Sequence, residues 1–374
     1  MKQYDCIVIG TGGIGSAALY YLAARNVKAL GIDRWSAGHE YGSSHGATRI
    51  IRLAYFEHPN YVPLLRRAFT AWAEFGQRCG RDLYRQTGLL QVGFASGHVV
   101  PGVLRSAREH NLKVEQLSPS EVRNRFPGFT ITEPMQAVFE YNAGYLPVED
   151  CVRAYVSEAK KLGATIVNDE SVHAWKTDGS GVTVTTDKRT YTAARVIIAP
   201  GAWASALLGD LGVSFTVRRK ALFWYEAETH YRVDTGCPLF LYELPEGIFY
   251  GYPQIDSTGV KVGEHSGGQQ VEDPLLVERS IDPQDRHTVE NFLSTYLPGV
   301  SRTLHRHVVC LYTMSADGHF VVDVHPRSPN VIFAAGLSGH GFKFASVLGE
   351  ILADLALAGK CQLPIEFLGL QRFR

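Results

Sequence analysis

Several groups in this chain have neighbours that could put them to chemical use. Cys310, in Cys310-Leu311-Tyr312, closes a stretch that holds Arg302, His305, Arg306 and His307. By composition a cysteine at the end of an apolar strand reads first as a small buried hydrophobe, although the basic setting favours a thiolate and shifts that reading somewhat. His305 and His307 lack a third partner at ligand spacing, so no metal is expected. Lys261 and His265 flank Gly263-Glu264 on or just after a strand, where alternation puts both on one face. His45, Thr48, Arg49 and Arg52 recur at helical spacing and would share one side of a helix or turn. A solvated cationic face explains either group, but the second follows a glycine- and serine-rich loop, Gly38 to Gly46, at a telling place.

That place is set by Tyr4 to Asp33. Cys6-Ile7-Val8-Ile9 is short, apolar and mostly β-branched, as a strand buried on both faces should be. It runs into Gly10-Thr11-Gly12-Gly13-Ile14-Gly15, then a helical segment from Ser16 to Arg25, then Ala29-Leu30-Gly31-Ile32 and Asp33. In this G-x-G-x-x-G spacing Gly10 permits the turn, Gly12 lets a pyrophosphate approach the backbone, and Gly15 lets the helix pack on the strand. The helix N-terminus offers free N–H groups to phosphate. Asp33 stands where a carboxylate would meet a ribose hydroxyl. The motif itself does not choose between NAD and FAD.

The elements that must position these groups are legible in outline. Periodicity predicts helices over Asn60–Phe75, Val103–Asn111, Val148–Leu162 and Pro283–Tyr296. Ser118-Pro119-Ser120-Glu121 reads as a capped helix start. Val182–Thr186 and Tyr191-Thr192 suggest a hairpin, and Arg195–Ala199 a buried strand. Between Val217 and Gly263 short aromatic runs such as Phe249-Tyr250-Gly251-Tyr252 indicate an antiparallel sheet. A last amphipathic helix carries Val347, Leu348, Ile351, Leu352 and Leu355. Just before it, Gly336-Leu337-Ser338-Gly339-His340-Gly341-Phe342-Lys343 repeats the strand–glycine–helix order of the opening stretch. A helix N-terminus there would stabilise charge on a reduced flavin ring, while a plain glycine-rich turn remains the alternative. Lys343 in a first helical turn opposes the macrodipole, so an anionic partner would account for it.

The expected fold class is therefore α/β (α+β overall). A discontinuous Rossmann-like FAD-binding domain (residues 1–80, 146–215 and 316–374) is joined to a substrate domain with a mainly antiparallel sheet (81–145 and 216–315). A nucleotide domain in three pieces leans towards FAD over NAD. Lys+Arg and Asp+Glu are equal at 37 each, so no net field recruits nucleic acid or a membrane surface. No apolar run reaches the ~20 residues of a bilayer span, and no leader pattern is visible. A cytoplasmic protein is expected, with its six scattered cysteines reduced.

Taken together, these stretches resemble the monomeric sarcosine oxidase and N-methyltryptophan oxidase family of flavoproteins over essentially the whole chain. The resemblance rests on the Gly10–Gly15 fingerprint with Asp33 and on Ser44-His45-Gly46-Ala47-Thr48-Arg49-Ile50-Ile51-Arg52. It continues through Tyr250-Gly251-Tyr252-Pro253, Lys261–His265, Cys310-Leu311-Tyr312-Thr313 and Ser338–Phe344. It implies FAD held by Gly10, Gly12, Gly15, Asp33, Arg34, Ser44, Thr48, Gly339, Gly341 and Lys343, and joined covalently through Cys310. It implies catalytic roles for Lys261, Arg49, His45 and Tyr312, with Lys261 activating oxygen. Arg52 and Lys343 would clamp a substrate carboxylate, and Tyr250, His265 and Tyr312 would wall the amine. Ala47 and Met314 depart from the family pattern, which bears on specificity.

The activity so implied is oxidative demethylation of sarcosine or a related N-methyl amino acid by a monomer using O2, giving formaldehyde, the free amino acid and hydrogen peroxide. A cyclic substrate such as pipecolate or proline is the near alternative. A non-catalytic FAD-binding redox sensor is the distant one, and an NAD-linked dehydrogenase a further one.

Overall fold

A computed structural model describes residues 3–374. Two large sheets carry the molecule. The first is built on parallel strands in the spatial order Thr165–Val167, Ala29–Ile32, Tyr4–Ile9, Thr190–Ile198 and Val331–Ala335. Its strands are continuous apolar runs because helices cover it. Gly13–Ala24, Tyr61–Cys79, Val148–Lys161 and Ala345–Ala358 contribute to one core, with Ala17, Leu65, Trp72, Tyr155 and Ile351 among the buried residues. The long strand Thr190–Ile198 lies beside Tyr4–Ile9 on one edge and serves two partners on the other. Its first half closes a hairpin with Val182–Thr186, and its second half runs parallel to Val331–Ala335.

The second sheet is mainly antiparallel. Its central row runs Thr216–Ala227, Val260–Glu264, Gly247–Tyr252, Leu239–Leu244, Leu89–Gly93 and Gln136–Glu140, with Val300–Met314 paired along Thr216–Ala227. One face is closed by an aromatic core in which Phe249 stacks on Phe292 of the helix Pro283–Tyr296 at 4.6 Å. The other face carries Leu241 and Tyr250, paired in register, and looks onto the cleft described below.

Most expected elements form within a few residues of their expected bounds. Ser118 makes the full capping box with Glu121, and the hairpin at 182–193 is present. The helical reading of His45 to Arg52 is wrong. Thr48–Ile51 is a strand, paired antiparallel with Gly144–Pro147. Gly46 and Ala47 take positive φ (90° and 68°), which precludes a helix start, and Thr48, Ile50 and Ile51 are β-branched. Gly336–Lys343 does not lead straight into a helix either. A 3-10 turn, Phe342–Phe344, comes first, and Lys343 is buried in it.

The opening turn is under the tightest steric limit in the chain. A Cβ on Gly15 would lie 1.8 Å from the Gly10 carbonyl oxygen, so the helix can start this close beneath the strand only with glycine there. Gly15→Ala is expected to cost about 3 kcal/mol or more, at the upper end for overpacked sites. Urea unfolding checks this, and a midpoint equal to the parent's would contradict it.

Candidate active site

A deep cleft lies between the two sheets. On the parallel-sheet side it is lined by Gly10, Gly12, Asp33, Arg34 and Ser44. At its other end it is lined by Tyr250, His265 and Tyr312 of the antiparallel sheet, by Arg49 and Arg52 on and just after the strand Thr48–Ile51, and by Gly339, His340, Gly341 and Lys343 after the parallel strand Val331–Ala335.

The parallel side suits a dinucleotide. At Gly12 the nearest atom to an added Cβ would be Ser44 Oγ at 3.8 Å, so the backbone is open to a phosphate. The Gly13 N–H donates to Ser44 Oγ (3.1 Å), which lays the loop across the helix N-terminus. Asp33 accepts from the Thr11 N–H (2.6 Å) and the Trp35 N–H (3.1 Å) and so braces the turn as well as facing the cleft. The Arg34 guanidinium lies over Trp35 and Trp203, about 5.5 Å from each ring centre. Glycine turn, free N–H groups, carboxylate and aromatic platform together fit the ADP half of FAD.

The other end of the cleft gathers buried cations beside a neutral polar wall. Tyr312 approaches His265 Nδ1 (3.3 Å) and the Tyr250 hydroxyl (3.5 Å). Burial pushes His265 down to about 3, so its ring is neutral at physiological pH. Gly339, at φ 80°, lies against Tyr312, and a Cβ there would fall 2.3 Å from the ring. Arg52 forks onto Glu57 (2.8 and 2.7 Å) and donates to Ala54 O. Lys343 donates to His340 O (2.7 Å) and the Tyr55 hydroxyl (3.3 Å), which leaves its ammonium one N–H for a ligand. Burial, then the nearby Arg52, lowers Lys343 to about 7.

A second layer lies behind this wall. His45, Thr48, Lys261 and Cys310 are buried but do not line the cleft. Lys261 donates to Gly46 O (2.7 Å) and Thr48 O (2.9 Å) and meets Thr48 Oγ1 (3.0 Å). Burial first, and Arg49 second, pushes its pKa well down. The two carbonyls only accept, but the hydroxyl can accept from an ammonium or donate to a neutral amine, so the site holds either protonation state.

Arg49 joins the two layers. It lines the cleft and also donates to Cys310 Sγ (2.9 Å), Ser43 O (2.8 Å) and Thr48 O (2.9 Å). Burial would raise the Cys310 thiol, but His45, Arg49 and Lys261 outweigh it and bring it down to about 6. Cys310 thus sits where ionisation is favoured, with Sγ also within reach of Ser43 O and His45 O, unlike Cys6 and Cys237, which burial pushes up to about 12.

Every candidate residue therefore falls in the cleft wall, in the layer behind it or, for Gly15, in the helix beneath the turn. Sequence reasoning missed the anions and the aromatic ring that make the cations tolerable. Glu57 pairs with Arg52, and Glu149 accepts from the Gly46 and Ala47 N–H groups (2.7 and 3.1 Å). Glu140 accepts from Leu53 and Ala54 (2.6 and 3.0 Å), and Tyr55 lies beneath both Arg52 and Lys343. Charge balance was the available signal: buried cations require carboxylates. It does not say which carboxylates.

The profile of the FAD dependent oxidoreductase family matches residues 5–355. A monomeric sarcosine oxidase of Arthrobacter sp. (strain TE1826) is 39% identical, with 99% of this chain and 97% of that protein covered. An N-methyl-L-tryptophan oxidase of Yersinia pestis (strain Pestoides F) is 37% identical over the full length of both. Among solved structures, NikD, an unusual amino acid oxidase essential for nikkomycin biosynthesis, superposes in its open form with a TM-score of 0.87 at 23% identity. That match covers 99% of this chain and 98% of NikD and speaks for the fold.

The state of Lys343 predicts how the cleft takes up a small anion. It is charged below about pH 7 and neutral above. Methoxyacetate affinity should therefore be full near pH 6 and fall by up to about tenfold per unit above pH 7. Lys343→Met should remove the slope. Calorimetric titration from pH 6 to 9 measures both, and a flat profile in the parent protein would count against the assignment.

Proposed function

The chain belongs to the FAD dependent oxidoreductase family, among the monomeric sarcosine and N-methyl-L-tryptophan oxidases, and we propose that it oxidatively demethylates sarcosine or a related N-methyl amino acid. The products are formaldehyde, the free amino acid and hydrogen peroxide. The observation that carries this reading is the Lys343 ammonium with one donor free beside a neutral Tyr250–His265–Tyr312 wall, in the cleft that begins at the dinucleotide turn.

In this reading Lys343 takes the substrate carboxylate, with Arg52 as the second cation. Arg52 is already forked onto Glu57, so a substrate competes with that carboxylate for it. Tyr250, His265 and Tyr312 hold the secondary amine. His265 is uncharged and so does not oppose the amine's approach, and the wall's hydroxyl and imidazole groups fix its orientation. A bound FAD would supply the acceptor for a hydride equivalent from the N-methyl carbon and the route for those electrons to O2. Lys261 and Arg49 stabilise negative charge as it develops on oxygen. Cys310, drawn towards ionisation by its cationic neighbours, would be the point of thioether attachment to the flavin 8-methyl group. The same reading assigns residues 1–80, 146–215 and 316–374 to the FAD domain and the rest to the substrate domain. It makes the protein a cytoplasmic monomer. No helix among the described residues is long and apolar enough to cross a membrane, which is consistent with that placement.

A peroxide and formaldehyde assay over sarcosine, other N-methyl amino acids, pipecolate and proline tests the activity. Formaldehyde equal to peroxide is expected for N-methyl substrates; peroxide without formaldehyde, on a cyclic amine alone, would reassign the substrate. Lys261→Met should leave anaerobic flavin reduction nearly intact and slow reoxidation by about a hundred- to a thousandfold, the scale of losing one preorganised charge. Stopped-flow reoxidation at the parental rate would remove Lys261 from its role. Cys310→Ala should release its flavin on acid precipitation, and flavin retained in the pellet would exclude the thioether.

A further inference from the structure

Beneath the two cations of the clamp lies one buried ring that no step above uses. Tyr55 is inaccessible to solvent and does not line the cleft. The Arg52 guanidinium lies 4.2 Å from its ring centre and the Lys343 ammonium 5.1 Å. Its backbone carbonyl accepts from Ser106 Oγ (2.5 Å), which fixes the main chain beneath the ring.

The hydrogen bonds around its hydroxyl run in one direction. His340 Nε2 faces Gly318 O at 3.0 Å, and a carbonyl only accepts, so Nε2 carries the proton. Burial keeps the ring neutral, so Nδ1 is an acceptor. The Tyr55 hydroxyl, 2.6 Å from Nδ1, therefore donates to it in preference to His340 O at 3.3 Å. Its oxygen is left to accept from Lys343. One lysine proton is thus committed to Tyr55, a second to His340 O, and the third points elsewhere.

We propose that Tyr55, oriented by His340, is the positioning residue of the carboxylate clamp: its hydroxyl aims the free N–H of Lys343 and its ring seats Arg52. The proposal rests on the carboxylate-binding reading of the cleft. It predicts that discrimination between an anion and a neutral ligand of the same shape depends on a residue neither ligand touches.

Calorimetry on the flavin-loaded protein, with methoxyacetate and methoxyacetamide as paired ligands, tests it. Tyr55→Phe keeps the ring and removes the hydroxyl. It should weaken methoxyacetate about tenfold, the scale of one charge-assisted hydrogen bond, and leave methoxyacetamide within twofold. In turnover the KM of an N-methyl amino acid should rise by the same factor, with kcat changed less than threefold. His340→Gln, which frees the hydroxyl to rotate, should show the same selective loss about threefold in size and replaces Tyr55→Phe if that variant does not fold. Equal loss for both ligands would mean a merely structural role and overturn the proposal, as would no loss for either. A parent protein with no preference for methoxyacetate over methoxyacetamide would overturn the clamp itself, and the proposal with it.

Discussion

The structure depends on burying several cations around one cleft. Arg52, Lys261 and Lys343 are each almost wholly removed from water, and Arg49 is partly buried. An unpaired buried charge costs several kcal/mol after relaxation, so each must be met from the protein. The solutions differ. Arg52 has a carboxylate, a carbonyl and an aromatic face. Lys261 has two carbonyls and a hydroxyl. Lys343 has a carbonyl and a phenol and keeps one donor unspent. Arg49 has carbonyls and a sulfur.

This requirement explains the irregular backbone near the site. The segment Gly46–Ala54 exposes carbonyls to three cations while Glu149 and Glu140 take up its end N–H groups. Gly46 and Ala54 lie outside the strand Thr48–Ile51, so no ladder claims their carbonyls. The sheets supply the rigid frame: the antiparallel one presents Tyr250 and Lys261 from neighbouring strands, and the parallel one presents the glycine turn at its strand ends. A soft frame would let the cations find water, and with it the perturbed acidity of Lys343 and Cys310 would vanish.

Legibility in the sequence followed the range of the interactions. The capping box of Ser118 and Glu121, the hairpin at 182–193 and the helix Pro283–Tyr296 are local patterns, and each formed as read. His45 to Arg52 deceived because helical spacing of polar residues says nothing about backbone dihedrals. Positive φ at two successive residues excludes a helix whatever the spacing. Composition read Cys310 first as an inert buried hydrophobe, and His45 and Arg49, 265 and 261 positions away, draw it towards ionisation instead.

What the sequence determined by itself was the dinucleotide turn, because Gly10, Gly12 and Gly15 act on their own backbone and their immediate neighbours, together with the element order and the residue types fit for handling an anion. Which cation is free, which is already paired and which lies behind the wall was decided only by the tertiary structure. The reason is physical: Glu57, Tyr55 and His340 act through space at contact distance, in a medium where pairing energies are large and depend on geometry that no spacing along the chain encodes.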